Sequence, residues 1–206
     1  MNSPLTQSGF LWILAGTAAY GIFHSLTASL GAKKLIRDWL GLKADRYYRL
    51  FFNVLSVVTL LPVMAVGALL PDQQIYAIPY PYRTLTLLLQ AAALLGMVWG
   101  VWQTDALDFA GVRPLLHKHD RGGEKSLVVS GLYRYVRHPL YFFGLVILWL
   151  APVMSWNLLA LNIGFSVYLL VGARLEERKL LLVHGEAYAE YRRRTPMIIP
   201  LIRTGG

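Results

Sequence analysis

Long apolar runs constrain this chain more than any other feature. A helix needs about 20 mostly apolar residues to cross a hydrocarbon core of ~30 Å, and four regions supply them: residues 10–30, 47–70, 82–104 and 139–173. The fourth is too long for one crossing. It is interrupted by "APVMSWN", where Pro152 and the Trp156-Asn157 pair predict a turn. The expected fold is therefore an all-α integral membrane protein with five transmembrane helices, the last two forming a helical hairpin. A helical segment follows on the cytoplasmic side. A mean hydropathy of +0.47 agrees, being unusual for a soluble globule.

The charges order these spans. Residues 31–49 carry six Lys or Arg, residues 105–138 carry six, and residues from 174 onward carry seven. The connection "PDQQIYAIPYP" and the hairpin turn carry none. This alternation predicts an N-terminus outside and a C-terminus in the cytoplasm, in the inner membrane if the host is bacterial. The basic excess is thereby topological, with a lipid bilayer rather than nucleic acid as its partner. The opening "MNSPLTQSG" has no basic residue and the apolar run after it is too long for a signal core, so no secretory signal is expected. Residues 1–104 are expected to hold the first three spans, and residues 105–206 the chemistry.

Several chemistries are excluded. The chain has no cysteine, which removes disulfides, thiol nucleophiles and thiolate metal sites. It contains no GxGxxG, P-loop or GxSxG pattern. His117 and His119 form an HxH in a charged loop, a pattern more often solvated than metal-bound, and no metal site is expected.

The informative residues lie at the cytoplasmic ends of the last two helices. In "YRYVRHPLYFFG", Pro139 suits a first helical turn, where a missing N–H costs nothing. The open N–H groups of that turn favour an anion, and Arg137 and His138 add to the attraction. The hairpin returns the chain to the same face at "ARLEERKLL", bringing Glu176 and Glu177 near them. Tyr188 and Tyr191 follow, three residues apart on one face of a short helix. Taken singly, such residues are often interfacial anchors or surface ion pairs. Together they make a positive pole, a carboxylate pole and aromatic faces, which suits a zwitterionic, cationic ligand.

"SGLYRYVRHPLYFFG" and "RLEERKLLLVHGEAYAEYRRRTPMIIP" resemble the C-terminal signature of the isoprenylcysteine carboxyl methyltransferase family. "FHSLTAS" and "YYRLFFNVLS" are similar to its NnrU and methanethiol S-methyltransferase branch. The Trp-Ser element that precedes Gly-x-Tyr in the prenylcysteine enzymes is absent; "TDALDFAGVRPL" stands there instead. The resemblance implies S-adenosyl-L-methionine as cofactor, held by Tyr133, Arg137, His138, Tyr141, Glu176, Glu177, Tyr188 and Tyr191. It puts Arg137, His138 and Glu177 at the catalytic centre. The acceptor implied is a lipophilic or small thiol or carboxylate at the cytoplasmic membrane face. Polar residues inside spans face protein or a cavity, so His24, Ser25 and Asn53 are candidate linings of an acceptor tunnel. Their alternative role is hydrogen bonding between helices. Two rival readings share parts of this pattern. A sterol-reductase-like enzyme using NADPH carries Asn after the Pro and Glu after the Gly, where this chain has Leu140 and Leu145. A non-enzymatic NnrU-like factor would not need Arg137, His138, Glu176 and Glu177 intact.

Overall fold

The computed structural model describes residues 8–41, 44–116 and 127–200. Their secondary structure is mainly helical. Helices α1 (Phe10–Thr27), α2 (Leu30–Leu40) and α3 (Ala44–Leu69) are followed by strand β1 (Gln74–Ala77) and helix α4 (Tyr82–Gln103). Short turns α5 (Ala106–Phe109) and α6 (Arg113–Leu116) precede a 3-10 turn at Gly131–Arg134. Helix α7 (Pro139–Trp149), strand β2 (Val153–Ser155), and helices α8 (Trp156–His184) and α9 (Glu186–Arg194) complete the order.

Four of these helices, α1, α3 over Tyr47–Leu69, α4 and α8, are long and apolar enough to cross a membrane. The expected fourth crossing differs. The long apolar region does break where Pro152 and Trp156 predicted, but α7 before the break has only 11 residues. At ~1.5 Å per residue it rises about 16 Å, half a hydrocarbon core. Two further features were not anticipated. The basic connection after α1 contains a helix, α2. The connection after α3 contributes β1, which pairs with β2 in the break between α7 and α8.

The chain forms two compact units, each gathered from separate stretches: 1–76, 106–123 and 153–168 in the first, 77–105, 124–152 and 169–206 in the second. In the first unit, Ile13, Val63, Ala160 and Leu161 form a buried cluster joining α1, α3 and the first half of α8. Gly164 lets α8 approach α1 closely, since a Cβ there would lie 2.2 Å from Thr17 Oγ1. Small residues at such contacts are how helices pack within lipid. Buried Asn157 ties the end of α3 to the start of α8. Its Nδ2 donates to the carbonyls of Gly67, Leu70 and Pro71 at 3.2–3.3 Å, and its backbone N–H donates to Asp72 Oδ1 at 3.0 Å.

In the second unit α7 lies along α4. Phe143 covers Gly96 and Leu140 covers Gly100, so closely that a Cβ would lie 2.4 and 2.9 Å from them. Gln90 Nε2 donates to the Ile147 carbonyl at 2.7 Å, satisfying one of the orphan acceptors at the end of α7. Ala173 of α8 packs with Met197 and Ile198 against Tyr141, Phe142 and Leu145.

Candidate active site

The site is built where α4, the 3-10 turn, α7, the charged end of α8 and α9 converge in the second unit. Gln103, the last residue of α4, accepts the Leu132 N–H on its Oε1 at 3.1 Å. Gly131 turns the chain there with φ +61, and a Cβ would strike the Gln103 amide. Only glycine meets both demands without strain. Tyr133 lies on that turn.

Arg137 and His138 precede α7, with His138 at its N-cap position and Pro139 at its first turn. Their backbone N–H groups are engaged within the chain. They donate to the carbonyls of Pro196 and Met197 at 2.9 and 3.0 Å. The segment after α9 thus straps the mouth of α7, anchored by buried Thr195, Met197 and Ile198.

The side chains then interlock. Arg137 Nε donates to Glu177 Oε1 at 2.6 Å, and its Nη1 donates to the carbonyls of Arg192 at 3.0 Å and Thr195 at 2.5 Å. His138 Nε2 lies 3.2 Å from the same Glu177 oxygen. The other histidine nitrogen, Nδ1, lies 3.6 Å from Glu176 Oε2, which accepts the Tyr141 hydroxyl at 3.0 Å. The His138 and Tyr141 rings stack, with centroids 5.2 Å apart and planes 6° from parallel. Tyr191 donates to the Tyr133 carbonyl at 2.5 Å and meets Tyr188 edge to face.

The two adjacent glutamates occupy different environments. The Glu177 side chain is 9% exposed, Glu176 49%. Glu177 is engaged by Arg137 and His138, whereas Glu176 presents a carboxylate outward. Arg137 has Nε and Nη1 committed, and its Nη2 edge has no hydrogen bond among the described residues. Tyr188 is wholly buried, and its hydroxyl has no hydrogen-bond partner among the described residues. A buried donor without a partner costs free energy.

Burial raises the pKa of Tyr133, Tyr188 and Tyr191 above the ordinary phenol value, with the negative charge of Glu177 adding to the shift at Tyr188. All three are neutral donors at physiological pH. Because their folded values lie above the unfolded one, their contribution to stability is complete below about pH 10 and declines as pH rises beyond it. Melting temperatures should fall less steeply with alkaline pH in Tyr188→Phe than in the wild type. Parallel slopes would show that this phenol does not titrate late.

All eight residues expected from the resemblance, Tyr133 to Tyr191, meet in this one cluster. The acceptor-side candidates lie in the first unit. His24 is ringed by Phe52, Tyr168 and Tyr20 at centroid distances of 4.7, 5.4 and 5.6 Å. Ser25 is half-buried. Asn53 donates to the Phe109 carbonyl at 3.1 Å, helping Arg49 and Asp108 hold α5. An apolar groove of about 350 Å³ runs along α1 and α3, lined by Trp12, Ile13, Tyr20, Phe23, Pro62 and Val63 among others; His24, Ser25 and Asn53 are not in its lining. His117 and His119 lie outside the described residues.

Sequence reasoning missed that Gln103 anchors the 3-10 turn and that residues 195–198 form a strap. One signal was readable: a Pro stops the charged helix, and the apolar "MII" after it must dock somewhere.

The model of the family described as "Protein of unknown function (DUF1295)" matches residues 33–195. The chain belongs to this family. Its relatives carry more specific names. It is 44% identical over 70 residues to a methanethiol S-methyltransferase of Crocosphaera subtropica, covering 34% of this chain and 28% of that protein. Identity is 34% over 118 residues with methanethiol S-methyltransferase 2 of Bradyrhizobium diazoefficiens, 52% of this chain and 45% of the other. With the protein-S-isoprenylcysteine O-methyltransferase of Schizosaccharomyces pombe it is 27% over 222 positions, 94% and 88% of the two chains. The chain thus matches less than half the length of these two methanethiol enzymes. DUF1295 membership and these relatives agree with the isoprenylcysteine methyltransferase-like family. No solved structure matches the chain.

Proposed function

We propose that this protein is an integral membrane methyltransferase using S-adenosyl-L-methionine, acting on a lipophilic or small thiol or carboxylate acceptor. In this reading it has five passes with α7 as the short one, an outer N-terminus and a cytoplasmic C-terminus. The cofactor, when bound, supplies a methyl group on a positively charged sulfur.

The residues present fit such a group. The outward Glu176 carboxylate and the stacked His138–Tyr141 pair suit an amine or sulfonium. The Nη2 edge of Arg137 suits a carboxylate. The observation that carries the reading is the buried Tyr188 hydroxyl, a neutral donor with no acceptor among the described residues, close enough to Arg137 and Glu177 to feel their charges. The chain's own task is positioning: Arg137 and Glu177 fix the strap and the mouth of α7, so that the exposed groups hold one geometry. His24, Ser25 and Asn53 are proposed to act on the acceptor side, where a dry surrounding favours attack by an anionic sulfur or oxygen.

Calorimetric titration of the detergent-purified protein with S-adenosylhomocysteine tests this, with NADPH as the control. Saturable binding is expected for the first ligand, weakened by Tyr188→Phe, and none for the second. Binding of NADPH alone would transfer the site to reductive chemistry. Binding of neither by folded protein would remove both enzymatic readings.

A further inference from the structure

Helix α2 is a discrete element between two spans. Ser29 breaks it from α1 with an extended backbone, φ −72 and ψ 154, and its hydroxyl accepts the Ala32 N–H at 3.1 Å. Gly41 ends it with φ +75, a conformation that other residues rarely adopt. The helix between them, "LGAKKLIRDWL", has 11 residues and none of them is buried. Helices this short are marginal in water unless one face is covered.

That face is well defined. At 100° per residue, Ala32, Leu35, Ile36 and Trp39 fall within one stripe, and Lys33, Lys34 and Arg37 fall opposite. Leu35 is 64% exposed and Trp39 86%. We infer that α2 lies in the interface of the bilayer, with Leu35 and Trp39 among the upper acyl chains and Lys33, Lys34 and Arg37 on anionic head groups.

Two observations commit the occupant to lipid. First, α1 ends at Thr27 and the apolar part of α3 begins at Tyr47, both candidate spans, so α2 is tethered at both ends to segments that enter the bilayer. Second, three cations against the single Asp38 complement an anionic surface. A tryptophan within the apolar stripe suits the same depth. This inference stands apart from the methyltransferase reading, because no residue of the candidate active site belongs to α2.

The test uses the full chain in nanodiscs of phosphatidylcholine, with and without phosphatidylglycerol. Trp39 fluorescence is isolated as the difference between wild type and Trp39→Phe, and is quenched by lipids labelled near the head group or deep in the acyl chain. The expected result is strong shallow quenching and weak deep quenching. Wild-type protein should also enrich phosphatidylglycerol in its co-purified lipid, and the Lys33→Gln/Lys34→Gln/Arg37→Gln variant should lose that preference at an unchanged melting temperature. Trp39 untouched by either quencher, or cross-linked to a second copy, would make α2 a protein contact and overturn the inference. Equal lipid composition around wild type and triple variant would overturn its anionic part.

Discussion

Arg137→Met should destabilise the folded protein by about 3–5 kcal/mol, the cost typical of leaving one partner of a buried ion pair alone. The reason is local. Arg137 serves three acceptors on two elements: Glu177 of α8, and the carbonyls of Arg192 and Thr195 at the end of α9. Methionine keeps the volume and polarisability but leaves the Glu177 carboxylate facing only His138. Adding Glu177→Gln removes the stranded charge, so the double variant should recover part of the lost melting temperature. A single variant as stable as the wild type would mean that the pair carries no net stability. A double variant whose loss equals the sum of the singles would mean that the residues support the fold independently.

Glu176→Gln should behave in the opposite way. Its carboxylate is half exposed and, among the described residues, accepts one hydrogen bond, from the Tyr141 hydroxyl. Stability should therefore change little, while affinity for S-adenosylhomocysteine should fall about 10- to 100-fold. That range corresponds to the ~1.5–3 kcal/mol associated with a hydrogen bond to a charged group. Calorimetric titration and melting curves on the same samples separate the effects. If Glu176→Gln binds as tightly as the wild type, the outward carboxylate is not a ligand contact. The two adjacent glutamates thus predict two phenotypes, one structural and one of recognition.

The helices were readable where composition alone decides them. Residues 10–27, 82–103 and the body of α3 are apolar over their full length, and solvent preference leaves few alternatives. Prediction was weaker where tertiary contacts decide. Helix α7 stops at Trp149 because β2 pairs with β1 beyond it, and three- or four-residue strands carry no periodic signal. Helix α2 was concealed by its charges, although "LGAKKLIRDWL" has the amphipathic spacing once it is viewed as a helix. In the site, residue types and spacing brought Arg137, His138 and both glutamates together, and the resemblance added Tyr141. The inequality of Glu176 and Glu177 was not legible, since adjacent residues on a helix differ only in what faces them. The partners of the Arg137 and His138 backbones were equally hidden, because carbonyls carry no sequence signature.

The strap also has a consequence in time. Arg137 and Glu177 are 40 residues apart, and Arg137 and Thr195 are 58 apart. At ~5–20 residues per second of synthesis, Arg137 waits roughly 2–8 s for its carboxylate and about 3–12 s for its last carbonyl. Helix α4, α7 and the turn between them are already made by then. The frame of α4 and α7 is therefore synthesised first and the residues that close the polar mouth afterwards, so that each newly made molecule passes through an interval in which Arg137 still lacks Glu177 and Thr195.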